Sequence, residues 1–192
     1  MKYIITLLVF SFCCCFCIAQ EKVDYYNIPI KNNKTQNLQA VIEIPAGTNK
    51  KIEYNPKYNR FECDSVNGKE RIVQFLPYVG NYGFIPSTLM DKTKGGDGDA
   101  LDVLVLSPSQ PMKTIIEIIP IANLKLIDNE EKDDKIIAIP ANTNLQTVQQ
   151  LTPEIKQIIE LWFLNYKGKN NTMVAGWGNQ EETLKIIEMW KK

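Results

Sequence analysis

Between residues 38 and 139, apolar residues fall in short runs divided by Pro, Gly and Asn: LQAVIEI, RFECD, RIVQFL, LDVLVL, TIIEII, ANLKLI and KIIAI. Runs of this length between turn formers predict strands. Several are apolar on both faces, which suits barrel strands with helices outside. The period then changes. In LTPEIKQIIELWFLNYK, Ile155, Ile158, Ile159, Trp162 and Tyr166 recur at helical spacing, behind Thr152 as N-cap and Pro153 at the first helical position. In NQEETLKIIEMWKK, Asn179 and Glu182 have capping-box spacing, and Leu184, Ile187 and Trp190 share a face. Strands first and helices last predict an α+β domain, mainly β, built on a small closed barrel.

The amino-terminal stretch follows neither period. MKYIITLLVFSFCCCFCIAQ has one Lys, a long apolar run, and small residues at Cys17 and Ala19 before a polar continuation. That layout predicts a cleaved secretory signal peptide over residues 1–19 and a mature domain over 20–192. The apolar run is short for a membrane span, so no stable insertion is expected after cleavage. Bulky Phe12 and Phe16 before Cys13 and Cys17 disfavour a lipid anchor. The protein is therefore expected to be exported, to a periplasm or beyond the cell.

Composition narrows the chemistry. Cleavage removes Lys2 from 22 basic residues and nothing from 22 acidic ones, so charge gives no reason to expect a nucleic-acid partner. Of the five cysteines only Cys63 lies outside the leader, and one cysteine forms no internal disulfide. Histidine is absent from the sequence. That excludes imidazole acid–base chemistry, histidine-containing triads and imidazole metal ligands. A bound metal would be held by oxygen, which favours Mg²⁺, Mn²⁺ or Ca²⁺.

Two acidic groups stand beside apolar strands. GGDGDALDVLVLS places Asp97, Asp99 and Asp102 within six residues. Turns are often rich in Asp and Gly, but Asp102 lies inside the strand on the face of Leu104 and Leu106, where an unpaired carboxylate is costly. Gly98, between two acids, allows close approach of a backbone or an ion. An EF-hand counted from Asp97 puts Leu101 at position 5 and Asp102 at position 6, so that template fails. DNEEKDDK places Asp128, Asp133 and Asp134 before KIIAI; alone it reads as a hydrophilic hairpin loop. Two such groups meeting at one barrel mouth would provide the carboxylates of a two-metal phosphoryl-transfer site.

DGDALDVLV resembles the Asp-x-Asp-Pro-x-Asp signature of the soluble family I inorganic pyrophosphatases. VIEIPAGTNKKIEY is similar to the family's Glu-Ile-Pro segment with its following Lys-x-Glu, and YVGNYGFIP to its tyrosines around Asn-Tyr-Gly. LKLIDNEEKDDKIIAIP resembles its second acidic loop, and FLNYKGK its late Tyr-Lys pair. The resemblance spans most of the mature chain, with the motifs in order. It implies a five-stranded OB-fold-type barrel with peripheral helices, assembled as a homo-oligomer. It implies hydrolysis of diphosphate to two phosphates by a metal-activated water, with several Mg²⁺ ions per site (Mn²⁺ as a substitute) and no covalent intermediate.

Carried over by position, the resemblance makes Asp97, Asp102, Asp128 and Asp133 metal ligands, with Glu43 serving the metals or their waters. Asp99 holds the attacking water and accepts its proton. Lys51, Arg71, Tyr82, Lys135, Tyr166 and Lys167 bind the phosphates, and Glu53 and Tyr78 support that site. Strand alternation turns Glu43 away from the face of Ile42 and Ile44, while Lys50 competes with Lys51. Ala100 stands where the family usually has Pro, and Asn129 where many members have Glu. The rival reading is a non-enzymatic OB-type module whose acidic mouth binds calcium. A single-strand nucleic-acid binder would instead need a basic groove with exposed stacking aromatics.

Overall fold

The structure, a computed structural model, describes residues 23–143, 151–168 and 172–192. The expected leader at 1–19 lies outside the described residues. Five strands form the body: β1 (Leu38–Ile44), β6 (Asn81–Phe84), β7 (Asp102–Val105), β8 (Ile115–Asp128) and β10 (Lys135–Pro140). They hydrogen-bond in the order β1-β6-β7-β10-β8, and β8 pairs back onto β1, closing the ring. The architecture is the expected mainly β, OB-type one.

Smaller elements decorate this ring. β2 (Ile52–Asn55) pairs with β3 (Arg60–Cys63), β4 (Ser65–Val66) with β5 (Lys69–Glu70), and β9 (Glu131–Lys132) folds back on β8. After α1 (Pro153–Asn165), β11 (Met173–Gly178) joins the edge of β8 and α2 (Gln180–Trp190) ends the chain.

Several expectations need correction. TIIEII and ANLKLI are one strand, β8, running through Pro120. A register shift opposite Pro120–Ala122 absorbs the ring and its missing N–H. RIVQFL forms no strand: Ile72 makes only an isolated bridge to Lys50, and Phe75 and Leu76 face solvent. Pro77 follows them, and the segment turns to deliver Tyr78. On α1, Ile159, Trp162 and Phe163 are buried while Ile158 is 57% exposed. Thr152 occupies the N-cap position without a side-chain cap bond. On α2 the Asn179–Glu182 capping box forms, but Thr183, Ile187 and Trp190 are buried and Leu184 is exposed.

Strand alternation divides the ring's side chains into two apolar clusters. Val103, Val105, Ile136 and Ala138 pack with Ile187 and Trp190 of α2. Tyr82, Leu104, Leu124 and Ile137 pack with Ile159, Trp162 and Phe163 of α1. The second face carries the site.

A bulge places Glu43. Val41, Ile42 and Ile44 pair with Phe84, Gly83 and Tyr82, so Glu43 is the extra residue. Ile42 and Ile44 consequently join different clusters, not one shared face. The bulge depends on Gly83: a Cβ there would stand 1.8 Å from the Val41 carbonyl oxygen. Gly83→Ala must separate β1 from β6 and should destabilise the fold by about 2 kcal/mol or more. A melting temperature unchanged from that of the parent protein would contradict this.

Candidate active site

The register of β7 and β10 creates the first ion pair. The two strands are parallel, and Lys135 stands opposite Asp102 just as Ile137 stands opposite Leu104. Both side chains therefore point to the α1 face. Lys135 is 1% exposed, and its Nζ donates to both Asp102 and Asp133. Burial alone would lower the Lys135 pKa, but the two facing carboxylates hold it well above the ordinary lysine value. The cost expected for a carboxylate on this face is met by a buried cation.

The loop before β7 carries Asp97 and Asp99. Gly98 has φ +92°, and its N–H donates to Met90 O at 2.8 Å, while Met90 N–H donates to Asp99 O at 2.7 Å. An Asp97 carboxylate oxygen accepts the Asp99 N–H at 2.9 Å. Asp97 thus shapes the loop, whereas the Asp99 carboxylate is left free of it at the exposed mouth. Burial, then the neighbouring Asp102, Asp99 and Asp133 charges, push the Asp97 carboxyl up to about 6. Desolvation and the charges of Asp102 and Glu53 push Asp99 up as well.

The second acidic group is a hairpin, as its composition suggested. Asp128 pairs with Glu131 across a turn in which Asn129 and Glu130 have φ of +49° and +70°. Asn tolerates this left-handed conformation better than Glu, a local reason for Asn129. Asp128 accepts from Lys167 at 2.5 Å and from Thr172 at 2.9 Å. Burial opposes the effect, but these donors hold the Asp128 carboxyl below its ordinary value. Lys167 also lies 3.8 Å from Asp133. It follows directly on Tyr166, the C-cap of α1, whose ring stacks on Trp162 at 4.6 Å and 17°. A core contact of α1 thereby aims both residues at the site.

On the opposite wall, Glu43 is 6% exposed and accepts the Tyr54 N–H at 2.7 Å. Burial, only partly offset by that bond, raises its carboxyl well above the usual range. Lys51 pairs with Glu53 and lies 3.6 Å from Asp64. The exposed Lys50 turns to Glu70, so Lys51 is the one that faces the cavity. Tyr78 and Tyr82 are buried with ring centroids 5.4 Å apart, and the Tyr78 hydroxyl has no partner. That hydroxyl is a buried, unused donor beside the cavity that Tyr78 lines.

All these groups line one cavity of about 230 Å³: Glu43, Lys51, Glu53, Tyr78, Tyr82, Asp97, Asp99, Asp102, Asp128, Asp133, Lys135, Tyr166 and Lys167. Arg71 does not line it. It pairs with Asp64 at 3.0 Å beside a smaller cavity that shares Lys51, Tyr166 and Lys167. Sequence reasoning missed Asp64, which holds the two cations together, and Glu131, which lines the main cavity. The signal for Asp64 was its place in ECDSVNGKER, where the Asn-Gly hairpin turns the chain back towards Arg71.

The donor set suits small hard cations. Every acidic candidate is a carboxylate, and burial together with the neighbouring carboxylates raises Asp97 and Asp99, a cost that bound cations would reduce. Among the described residues no three acidic side chains are already gathered around one point; Asp102, Asp128 and Asp133 turn to Lys135 and Lys167 instead.

A ring of OB type whose mouth joins carboxylates to lysines and tyrosines defines the architectural class. The match is specific. The family profile described as inorganic pyrophosphatase matches residues 40–192. The inorganic pyrophosphatase of Neisseria meningitidis serogroup B is 38% identical over 169 residues, covering 81% of this chain and 89% of that one. That of Saccharolobus solfataricus is 35% identical over 161 residues, covering 79% and 88%. The crystal structure of inorganic pyrophosphatase from Thermus thermophilus superposes with a TM-score of 0.74 at 29% identity, covering 86% of this chain and 95% of that one. The chain belongs to the soluble family I inorganic pyrophosphatases.

Proposed function

We propose that this protein hydrolyses inorganic diphosphate to two phosphates in a Mg²⁺-dependent reaction without a covalent intermediate. The carrying observation is the convergence of Asp97, Asp99, Asp102, Asp128 and Asp133 with Lys51, Lys135 and Lys167 around one cavity. Family membership supports the same reaction.

Asp97, Asp102, Asp128 and Asp133 are the residues that would hold the cations, with Glu43 behind them. When bound, Mg²⁺ supplies positive charge against a diphosphate of three to four negative charges and acidifies the attacking water. The chain's own residues do the rest. Lys51 and Lys167 both line the cavity and grip the phosphoryl groups, and the buried Lys135 balances the carboxylates. Tyr78, Tyr82 and Tyr166 offer hydroxyl donors that add no charge. Arg71, held with Lys51 through Asp64, is placed to meet a phosphate at the edge of the cavity. Asp99, raised and unencumbered, accepts the proton of the attacking water. In-line transfer then requires positioning and electrostatic stabilisation more than a protein nucleophile.

Phosphate release from diphosphate tests the assignment, with a nucleoside triphosphate and a phosphate monoester as comparisons. Diphosphate is expected to be the preferred substrate. Its failure to react while another phosphate compound does would contradict the proposal.

A further inference from the structure

Residues 24–28 form a strap that precedes residue 40, where the family match begins. The strap packs Tyr25, Tyr26 and Ile28 in one apolar cluster with Ala100 of the aspartate loop and contributes no acid to the cavity. Tyr26 packs its ring on Tyr54 at 5.1 Å and on Phe84 at 4.7 Å. Its carbonyl accepts the Ser87 N–H at 2.8 Å, and the Ser87 hydroxyl donates to Ile28 O at 2.7 Å. Residues 190–192 reach the same place. Lys192 N–H donates to Ser87 O at 2.9 Å, and Leu89 N–H donates to Trp190 O at 2.8 Å.

Ser87 has φ +55°, a strained conformation for a residue with a side chain. Such strain persists only where surrounding contacts over-determine it, and it concentrates at functional sites. Here the contacts come from residues 24–28 and residues 190–192. The clamped segment in turn holds the aspartate loop. The buried Thr88 hydroxyl accepts the Leu101 N–H at 2.9 Å, and Met90 bonds Asp99 through its N–H and Gly98 through its carbonyl. A second line of contact runs through Tyr54, whose ring lies under Tyr26 and whose N–H binds Glu43.

We propose that Tyr26 and Ser87 are positioning residues, through which residues 24–28 and residues 190–192 clamp segment 87–90 and so fix the Asp97–Asp99 loop for catalysis. The inference rests on the hydrolytic reading above. A mutation that loosens the clamp should let the loop carbonyls and amides drift while the ring of strands stays closed.

The test compares Tyr26→Ala, Tyr26→Phe, Ser87→Ala and Ile139→Ala, the last a truncation of a buried residue outside the cluster that holds Met90, Leu101 and Trp190. Amide exchange at Gly98 and Leu101, Mg²⁺ binding by calorimetry without substrate, and phosphate release are measured well below each melting temperature. Tyr26→Ala and Ser87→Ala should speed exchange at both amides and weaken Mg²⁺ binding about fivefold, a fraction of the effect typical of a direct outer-sphere partner. Turnover should fall with them. Tyr26→Phe, which keeps the ring, should recover most of the loss. Ile139→Ala should lower the melting temperature without moving exchange at Gly98 or the Mg²⁺ affinity. If Tyr26→Ala does not fold, Ser87→Ala decides alone. Unchanged exchange and Mg²⁺ binding in a folded clamp variant would overturn the proposal. An inactive parent protein would instead remove the hydrolytic reading while leaving the exchange result to judge the clamp.

Discussion

Asp99→Asn is expected to lower turnover by about 10²-fold or more, the loss associated with removing a positioned general base. The loop geometry explains why the effect should be chemical. Main-chain bonds hold Asp99: its N–H to Asp97 and its carbonyl to Met90. Its carboxylate makes no hydrogen bond that shapes the loop, so asparagine fits with little change in stability. The substitution keeps size and removes basicity. Asp97→Asn is a different experiment, because the Asp97 carboxylate accepts the Asp99 N–H and shapes the turn. Turnover at saturating Mg²⁺, set beside the melting temperature, checks the assignment. Near-parental turnover in Asp99→Asn would remove Asp99 from the role of base.

Lys135→Met is expected to have the largest effect on stability. The methionine fills much of the aliphatic stem's volume but leaves Asp102 and Asp133 facing each other without their cation. Their side chains are 24% and 11% exposed. Removing one partner of a buried ion pair costs about 3–5 kcal/mol when the other charge cannot reach water. For a domain of this size that is a fall of about 10 °C in melting temperature. Divalent cations should restore part of the loss, because they replace the missing positive charge. Added Mg²⁺ should therefore raise the melting temperature of Lys135→Met more than that of the parent. A variant that melts with the parent in the presence of a chelator would show that the Lys135 pairing contributes little.

The strands of the ring were legible where a run was apolar on both faces, as in LDVLVL and KIIAI. NYGF and MVAGWG escaped because their glycines depress strand propensity. Gly83 marks a close approach to β1, which no local pattern reveals. Asp102 stood out because a carboxylate amid Leu104 and Leu106 needs a partner. That the partner is Lys135 follows from the parallel register of β7 and β10, a pairing distant in sequence. On α1 the helical period assigned Ile158 to the buried face alongside Ile159. The narrower contact buries Ile159, Trp162 and Phe163 and partly covers Ile155 and Tyr166, leaving Ile158 outside. Arg71 illustrates the same limit: its neighbours Asp64 and Lys51 are set by a hairpin and by main-chain bonds among the three residues, and they hold it at the edge of the cavity.

The central claim is that the acidic cavity binds Mg²⁺ in order to hydrolyse diphosphate. The most direct measurement is phosphate release from diphosphate by chelator-treated protein as Mg²⁺ is titrated back. The account predicts negligible release in the chelator, activity that rises and saturates with Mg²⁺, and two phosphates formed for each diphosphate consumed. Full activity after exhaustive chelation, or no release at any Mg²⁺ concentration, would contradict it.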